Sequence, residues 1–198
     1  MAETWLISDP HFGHHIAAAE RGFGTTEDHD RWLVDQCRRR FHPTDTIWWL
    51  GDIAFDGWQA RLADTIDYLP GHHHLILGNH DRAHPCNRNA SAHLDRYRAR
   101  FETVQLAASI RWEGRELLLS HFPYDGDHTD DERYQQWRLR DFGATLIHGH
   151  THAPEKFSRS RKGTVQIHVG VDAWRRPVRL GELIRSAEAW VLDHLEDR

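Results

Sequence analysis

Leu75-Ile76-Leu77-Gly78-Asn79-His80-Asp81 constrains this chain more than any other stretch. Three apolar residues run into a glycine and then into three side chains able to bind a metal or carry a proton. A buried strand does not need that ending. A turn accepts Gly and Asn, but His and Asp directly behind them serve no turn geometry. The habit recurs along the chain. Residues 4–8 read as a strand running into Asp9-Pro10-His11, and residues 46–50 run into Gly51-Asp52. Residues 116–120 run into His121-Phe122-Pro123, residues 144–147 into His148-Gly149-His150-Thr151-His152, and residues 164–169 into Gly170-Val171-Asp172-Ala173-Trp174.

Helices separate the first strands. Residues 26–41 carry Trp32, Leu33, Cys37 and Phe41 near helical spacing, with Thr25 or Thr26 to cap the start and Pro43 beyond the end. Arg38-Arg39-Arg40 suits the negative end of that helix dipole, so it reads as a solvated helix end. Residues 58–69 place Trp58, Leu62, Ile66 and Leu69 on one face and close at Pro70-Gly71. His72-His73-His74 is expected to be a solvated turn before the next strand. The second half is richer in strands: 103–107, 109–112 and, after the turn Glu113-Gly114-Arg115, 116–120. Further helices are expected over 91–101, 133–141 and 180–195, and loops over 82–89, 125–132 and 153–163. Strand–helix alternation followed by short-turn strands predicts an α/β fold of two sheets packed face to face with helices outside. No linker or repeat interrupts residues 1–198, so one domain is expected.

Composition narrows the function classes. The net charge of -5 argues against strong binding to nucleic-acid polymers or a polybasic membrane contact. No apolar run is long enough to span a bilayer, and residues 4–7 already form a strand where a signal peptide would need its apolar core. With only two cysteines, Cys37 and Cys86, and no C-x-x-C spacing, a reducing, cytoplasmic setting is expected. Cys37 reads as a small buried hydrophobe and Cys86 as a surface thiol.

Collected, the strand ends supply carboxylates, an amide oxygen and imidazoles, a donor set suited to Mn, Fe, Zn, Ni or Co, with Mn favoured. There are enough donors for two ions if one carboxylate bridges them. Two cations about 3.5–4 Å apart clamp nucleophile and electrophile and neutralise phosphate oxygens, so phosphate-ester hydrolysis by a hydroxide bridging the ions is the chemistry expected.

Asp-x-His, Gly-Asp, Gly-Asn-His-Asp, a lone His after a strand, and Gly-His-x-His, in that order, resemble the calcineurin-like metallophosphoesterase superfamily. Residues 8–14, 49–55 and 169–174 resemble its compact bacterial and phage phosphoesterases, and the likeness spans nearly the whole chain. The resemblance implies a four-layer α/β/β/α sandwich of two mixed sheets. It implies that Asp9, His11, Asp52 and His152 hold one metal, and that Asp52, Asn79, His121 and His150 hold the other, with Asp52 bridging. His80 would stand beside the bound phosphate and protonate or hydrogen-bond the leaving oxygen, and Asp81 would orient His80. His14, Asn79 and His80 are the candidate substrate contacts.

Other residues read more plainly. His148 suits core packing, and Asp172 suits a supporting or turn role. Arg159, Arg161 and Lys162 suit a solvated loop, and Trp174 and Arg175 suit packing or the pocket rim. The substrate expected is a small phosphate ester, possibly a nucleotide. Diesters are favoured because no arginine cluster lies among the motifs to clamp a dianion. A phosphomonoesterase, a non-catalytic scaffold on the same fold and a polymer nuclease are the alternatives.

Overall fold

The computed structural model describes residues 2–55 and 57–194. The first sheet contains β1 (Thr4–Ile7), β2 (Thr46–Trp49), β3 (His72–Ile76) and β4 (Thr103–Gln105), all parallel, with β10 (Val178–Arg179) antiparallel on the outer edge of β1. Its order is β10-β1-β2-β3-β4. The second sheet is built from β5 (Ala107–Trp112), β6 (Arg115–Ser120), β7 (Thr145–His148), β8 (Phe157–Arg159) and β9 (Val165–His168), in the order β5-β6-β7-β9-β8. There β6, β7 and β9 are parallel, while β5 and β8 pair antiparallel at the edges. Both sheets are therefore mixed, as expected, each has five strands, and helices accompany them.

Period-two alternation sends neighbouring residues of one strand into different cores. Ile7, Ile47, Trp49 and Leu75 pack with Leu33 and Cys37 of α2 (Thr26–Arg38) and with Leu62 of α3 (Trp58–Thr65). Leu6 and Ile76 face the other way, against Leu117, Leu119, Ile147 and Ile167 of the second sheet and Leu183 and Ile184 of α6 (Leu180–Asp193). Because both faces of the first sheet are covered, its central strands read as continuous apolar runs. Each fully buried Leu or Ile in these layers contributes about 1.5–3 kcal/mol.

Local signals explain several boundaries. Thr25 caps α2 by accepting the Asp28 N–H at 3.1 Å. Glu113 and Gly114 both have positive φ in the two-residue turn between β5 and β6, and Gly supplies the second position without steric cost. Tertiary context overrides others. His72-His73-His74 is not a solvated turn: it lies within β3, paired to Thr46, Ile47 and Trp48. His73 is buried and accepts the Trp49 indole N–H at 3.0 Å. The helix expected over 133–141 is only a 3-10 turn, Gln135–Trp137, entered through Tyr134 at φ 57. The helix expected over 91–101 splits into a 3-10 turn, Ala90–His93, and α4 (Leu94–Arg98). Four short elements went unforeseen: α1 (His15–Glu20), β8 inside the expected 153–163 loop, α5 (Val171–Trp174) and β10. Leu195, where the last helix was expected to end, lies outside the described residues.

Candidate metal centre

Every strand that ends in a polar cluster delivers it to the same edge of the molecule. Asp9 and His11 follow β1, Asp52 follows β2, and Asn79 and His80 follow β3; His121 follows β6, and His150 and His152 follow β7. The loops are laced together by backbone bonds, Asp9 N–H to Gly51 C=O at 3.1 Å, His11 N–H to Asp52 C=O at 3.1 Å and Gly149 N–H to His121 C=O at 3.0 Å. The chain bends sharply to aim these side chains. Asp9, His11, Asp52, His150 and His152 all have φ between 50 and 72, in the left-handed region that non-glycine residues seldom occupy. Strain of this kind persists where surrounding structure enforces it, and it clusters at functional sites.

Glycine permits the close approach of neighbouring loops. A Cβ at Gly78 would run into Asp52 Oδ1 and lie 2.6 Å from Asp52 N, and one at Gly149 would run into Ser8 Oγ and lie 2.5 Å from Asp9 Oδ2. Gly78 has no positive φ, so it serves clearance between loops and not the turn freedom expected of it.

At the centre stands Asp52 Oδ2, 3.5 Å from His121 Nε2, 3.9 Å from His11 Nε2 and 3.9 Å from His80 Nε2. Asp9 Oδ1 lies 4.0 Å from both His11 Nε2 and His152 Nε2. His121 donates through Nδ1 to the Leu50 carbonyl at 2.7 Å, which turns the lone pair of Nε2 toward Asn79 Oδ1 at 3.1 Å. His152 donates through Nδ1 to Asp172 at 2.8 Å, which turns its Nε2 toward His11 Nε2 at 3.2 Å. These separations fit donors around a shared cation, since ligands about 2.1 Å from an ion stand roughly 3.0–3.4 Å apart.

Electrostatics gives the same result. Asp9, Asp52 and Asp81 are buried, at most 2 % exposed, and among the described residues none of their carboxylates pairs with a Lys or Arg. Burying charge without compensation costs several kcal/mol per ion. Burial, then Asp9 and Asp81, push the Asp52 carboxyl well above its ordinary range. Burial disfavours a charged His152, yet the Asp172 hydrogen bond and the Asp9 charge carry it up to about 9. The pocket thus favours positive charge between Asp9, Asp52 and His152, where a metal would sit. The donor set fits.

The structure reassigns Asp81. Its carboxylate accepts the backbone N–H groups of Gly78 at 2.8 Å, Asp52 at 2.9 Å and Ile53 at 3.0 Å, so it locks two loops together and does not orient His80. Adjacent residues in a tight loop diverge, and the side-chain hydrogen bonds of Asp81 go to these three amides and not to the His80 ring. Asp81→Asn presents an amide N–H where a donor needs an acceptor. It should cost about 2–4 kcal/mol, read as a lower urea midpoint of the metal-free protein.

Asp172 takes the supporting role expected of it, while two further supporting residues, Arg21 and Asp127, were not identified from sequence. Asp172 fixes the His152 tautomer and is gripped in turn by Arg21, through Nε and Nη2 at 2.8 Å each. Arg21 also ties down the Asp9 and Pro10 carbonyls, at 2.8 and 3.1 Å. Asp127, from the 125–132 loop, meets His150 Nε2 at 3.1 Å and holds Arg133 at 2.8 Å and Arg138 at 3.3 Å. With Nε2 engaged, His150 is left Nδ1 for a metal. Carboxylates behind metal-binding imidazoles set their orientation and basicity. Asp127→Asn and Asp172→Asn should each weaken Mn²⁺ affinity about 10–100-fold in chelator competition.

The softer candidates fall as follows. His14 stacks on Phe55 with centroids 3.9 Å apart and stands 5.2 Å from His11, at the mouth. His148 is buried and stacks on His168. Trp174 is buried and donates its indole N–H to the His168 carbonyl at 2.8 Å, while Arg175 packs over Trp32. Cys86 is half-buried, not a surface thiol, with Sγ 3.7 Å from the Asn79 carbonyl. Arg161 is exposed and pairs with Glu132.

Comparison with known proteins gives a consistent picture. Residues 3–180 match the model of the calcineurin-like phosphoesterase superfamily domain. The gene 66 protein of Mycobacterium phage L5 is 43% identical over 193 residues, covering 92% of this chain and 93% of its own length. The gene 66 protein of Mycobacterium phage D29 is 42% identical over 195 residues, covering 92% and 94%. A protein of unknown function from Aquifex aeolicus has a solved structure that superposes with a TM-score of 0.68, at 23% identity, over 94% of this chain and 100% of that one. That likeness is one of fold. No helix among the described residues is long and apolar enough to cross a membrane.

Proposed function

The chain belongs to the calcineurin-like phosphoesterase superfamily, and from that premise we propose that it is a dinuclear metal-dependent phosphodiesterase acting on small, nucleotide-type esters. The observation that carries the reading is the surrounding of Asp52 Oδ2 by His11, His80 and His121, contributed by loops of both sheets, with no Lys or Arg among the described residues paired to the buried carboxylates of Asp9, Asp52 and Asp81. Asp9, His11, Asp52 and His152 would hold one ion, and Asp52, Asn79, His121 and His150 the other. When bound, two divalent cations lower the pKa of water and offset the charge of phosphate oxygens. Mn²⁺ suits the mixed oxygen and nitrogen donors.

The protein's own groups do the rest. Asn79 offers an oxygen without adding negative charge against the substrate. Hydrolysis adds the oxygen of water to phosphorus and a proton to the departing alcohol, and His80 is placed to handle that proton. Its side chain is 39% exposed, so it can reach a substrate at the mouth. Burial first, then His121 and His14, bring its imidazole down to about 4, so it enters neutral, hydrogen-bonds the leaving oxygen through one ring N–H, and can pass that proton on only as its other nitrogen takes one up from solvent.

Diesters are favoured by the disposition of arginines. Arg21 is committed to Asp172, and Arg133 and Arg138 to Asp127. None of these three is left to clamp the second charge of a monoester, a task suited to paired guanidinium groups. With Mn²⁺ added, bis-p-nitrophenyl phosphate should turn over faster than p-nitrophenyl phosphate. Faster monoester turnover would make the enzyme a phosphatase, and no turnover of either with metal bound would leave a binding scaffold.

A further inference from the structure

Beside His80 lies a cavity of about 180 Å³ bounded by Ala54, Phe55, Asn79, His80, Arg82 and Asn87. Arg82 is exposed, and among the described residues its guanidinium makes no ion pair or hydrogen bond, unlike those of Arg21, Arg133 and Arg138. Its backbone is nonetheless held in place. The Arg82 N–H donates to the buried Tyr97 hydroxyl at 3.0 Å. Asn87 Nδ2 donates to the carbonyls of Asn79 and Asp81 at 2.9 Å each, stapling the loop behind His80.

Charge is segregated around the mouth. Residues 82–93 contain Arg82 and Arg88 and no acid, in a chain whose net charge is -5. The 125–132 loop is acidic, but Asp127 is paired with Arg133 and Arg138, and Asp125 and Glu132 with Arg161. A substrate carrying more than one phosphate would therefore find its free positive charge on the Arg82 side.

We propose that the Arg82 cavity receives a second phosphate, carried on the leaving-group half of the diester. The assignment rests on the phosphodiesterase reading. It narrows the substrate class to diesters with a further phosphate beyond the scissile one, such as a phosphorylated dinucleotide. His80 lines the cavity and also stands 3.9 Å from Asp52 Oδ2, so the half of the diester it would serve is the half Arg82 would hold. Asn79 and Phe55 form the walls between.

The test compares TpT with its two phosphorylated forms, pTpT and TpTp, one of which places the extra phosphate on the leaving half. One of them should be preferred over TpT by about tenfold in kcat/KM, the gain expected of a charge-assisted guanidinium–phosphate contact. Arg82→Ala should reduce that ratio to near one, Arg82→Lys should keep part of it, and Arg88→Ala should keep it whole. Equal turnover of all three dinucleotides by the unmodified protein, or a preference that survives Arg82→Ala, overturns the assignment. Calorimetric titration of the Mn²⁺-loaded protein gives a readout that does not depend on turnover. Thymidine 3′,5′-bisphosphate should bind about tenfold more tightly than thymidine 5′-monophosphate, and Arg82→Ala should remove the difference. A missing difference overturns the subsite. Loss of ester turnover with the binding difference intact overturns only the enzymatic reading.

Discussion

Asp52→Asn is expected to reduce phosphodiester turnover on the order of a thousandfold and to lower bound Mn²⁺ from about two equivalents to one or none. Asp52 Oδ2 is the atom that His11, His80 and His121 surround, and Oδ1 accepts the His80 backbone N–H at 2.8 Å. An asparagine keeps an oxygen for that N–H but loses the negative charge a shared cation needs. The metal-free protein should respond the other way. Asp52 is buried beside Asp9 and Asp81, and burial with those two neighbours already disfavours its ionised form. Removing its charge relieves repulsion, so the variant without metal should unfold at the same temperature as the unmodified protein or a higher one. Added Mn²⁺ should raise the melting temperature of the unmodified protein and leave that of the variant nearly still, because only a ligand bound to the native state shifts unfolding. A variant that melts early without metal and still gains stability from Mn²⁺ would make Asp52 a structural residue.

The candidate site was legible in the sequence because each motif is local. A strand's apolar run and the polar residues that follow are contiguous, and parallel strands deliver their ends to one edge. Thus Asp9, His11, Asp52, Asn79, His80, His121, His150 and His152 could be named together before their geometry was known. The residues behind them could not. Asp127 sits in a loop with Asp125, Asp130, Asp131 and Glu132, and nothing in that run marks which acid is buried against His150. Arg21 gave no signal, because its partner Asp172 is remote in the chain.

The misreadings have the same source. Arg133–Asp141 has helix-compatible composition, but Asp127 recruits Arg133 and Arg138 and holds the segment open. His72-His73-His74 resembles a polar turn until the register with β2 places His73 beside the Trp49 indole. The resemblance sets Asp81 behind His80, while the amides it accepts from include two supplied by the loop after β2. Local pattern fixes where strands end, and long-range hydrogen bonds decide what each loop residue does.

His80→Gln separates proton transfer from metal binding. His80 Nε2 stands 3.9 Å from Asp52 Oδ2, within range of the centre, yet its ring packs against Phe55 and opens toward the Arg82 cavity. If it serves the leaving group, the variant should keep its full Mn²⁺ content while kcat falls by about 10²-fold or more for alkyl esters such as dinucleotides. Bis-p-nitrophenyl phosphate should suffer much less, because p-nitrophenolate departs without needing a proton. The dependence of rate on leaving-group basicity should therefore steepen in the variant. Equal losses for both esters would assign His80 to phosphate binding. A drop in Mn²⁺ content would instead make His80 a metal ligand.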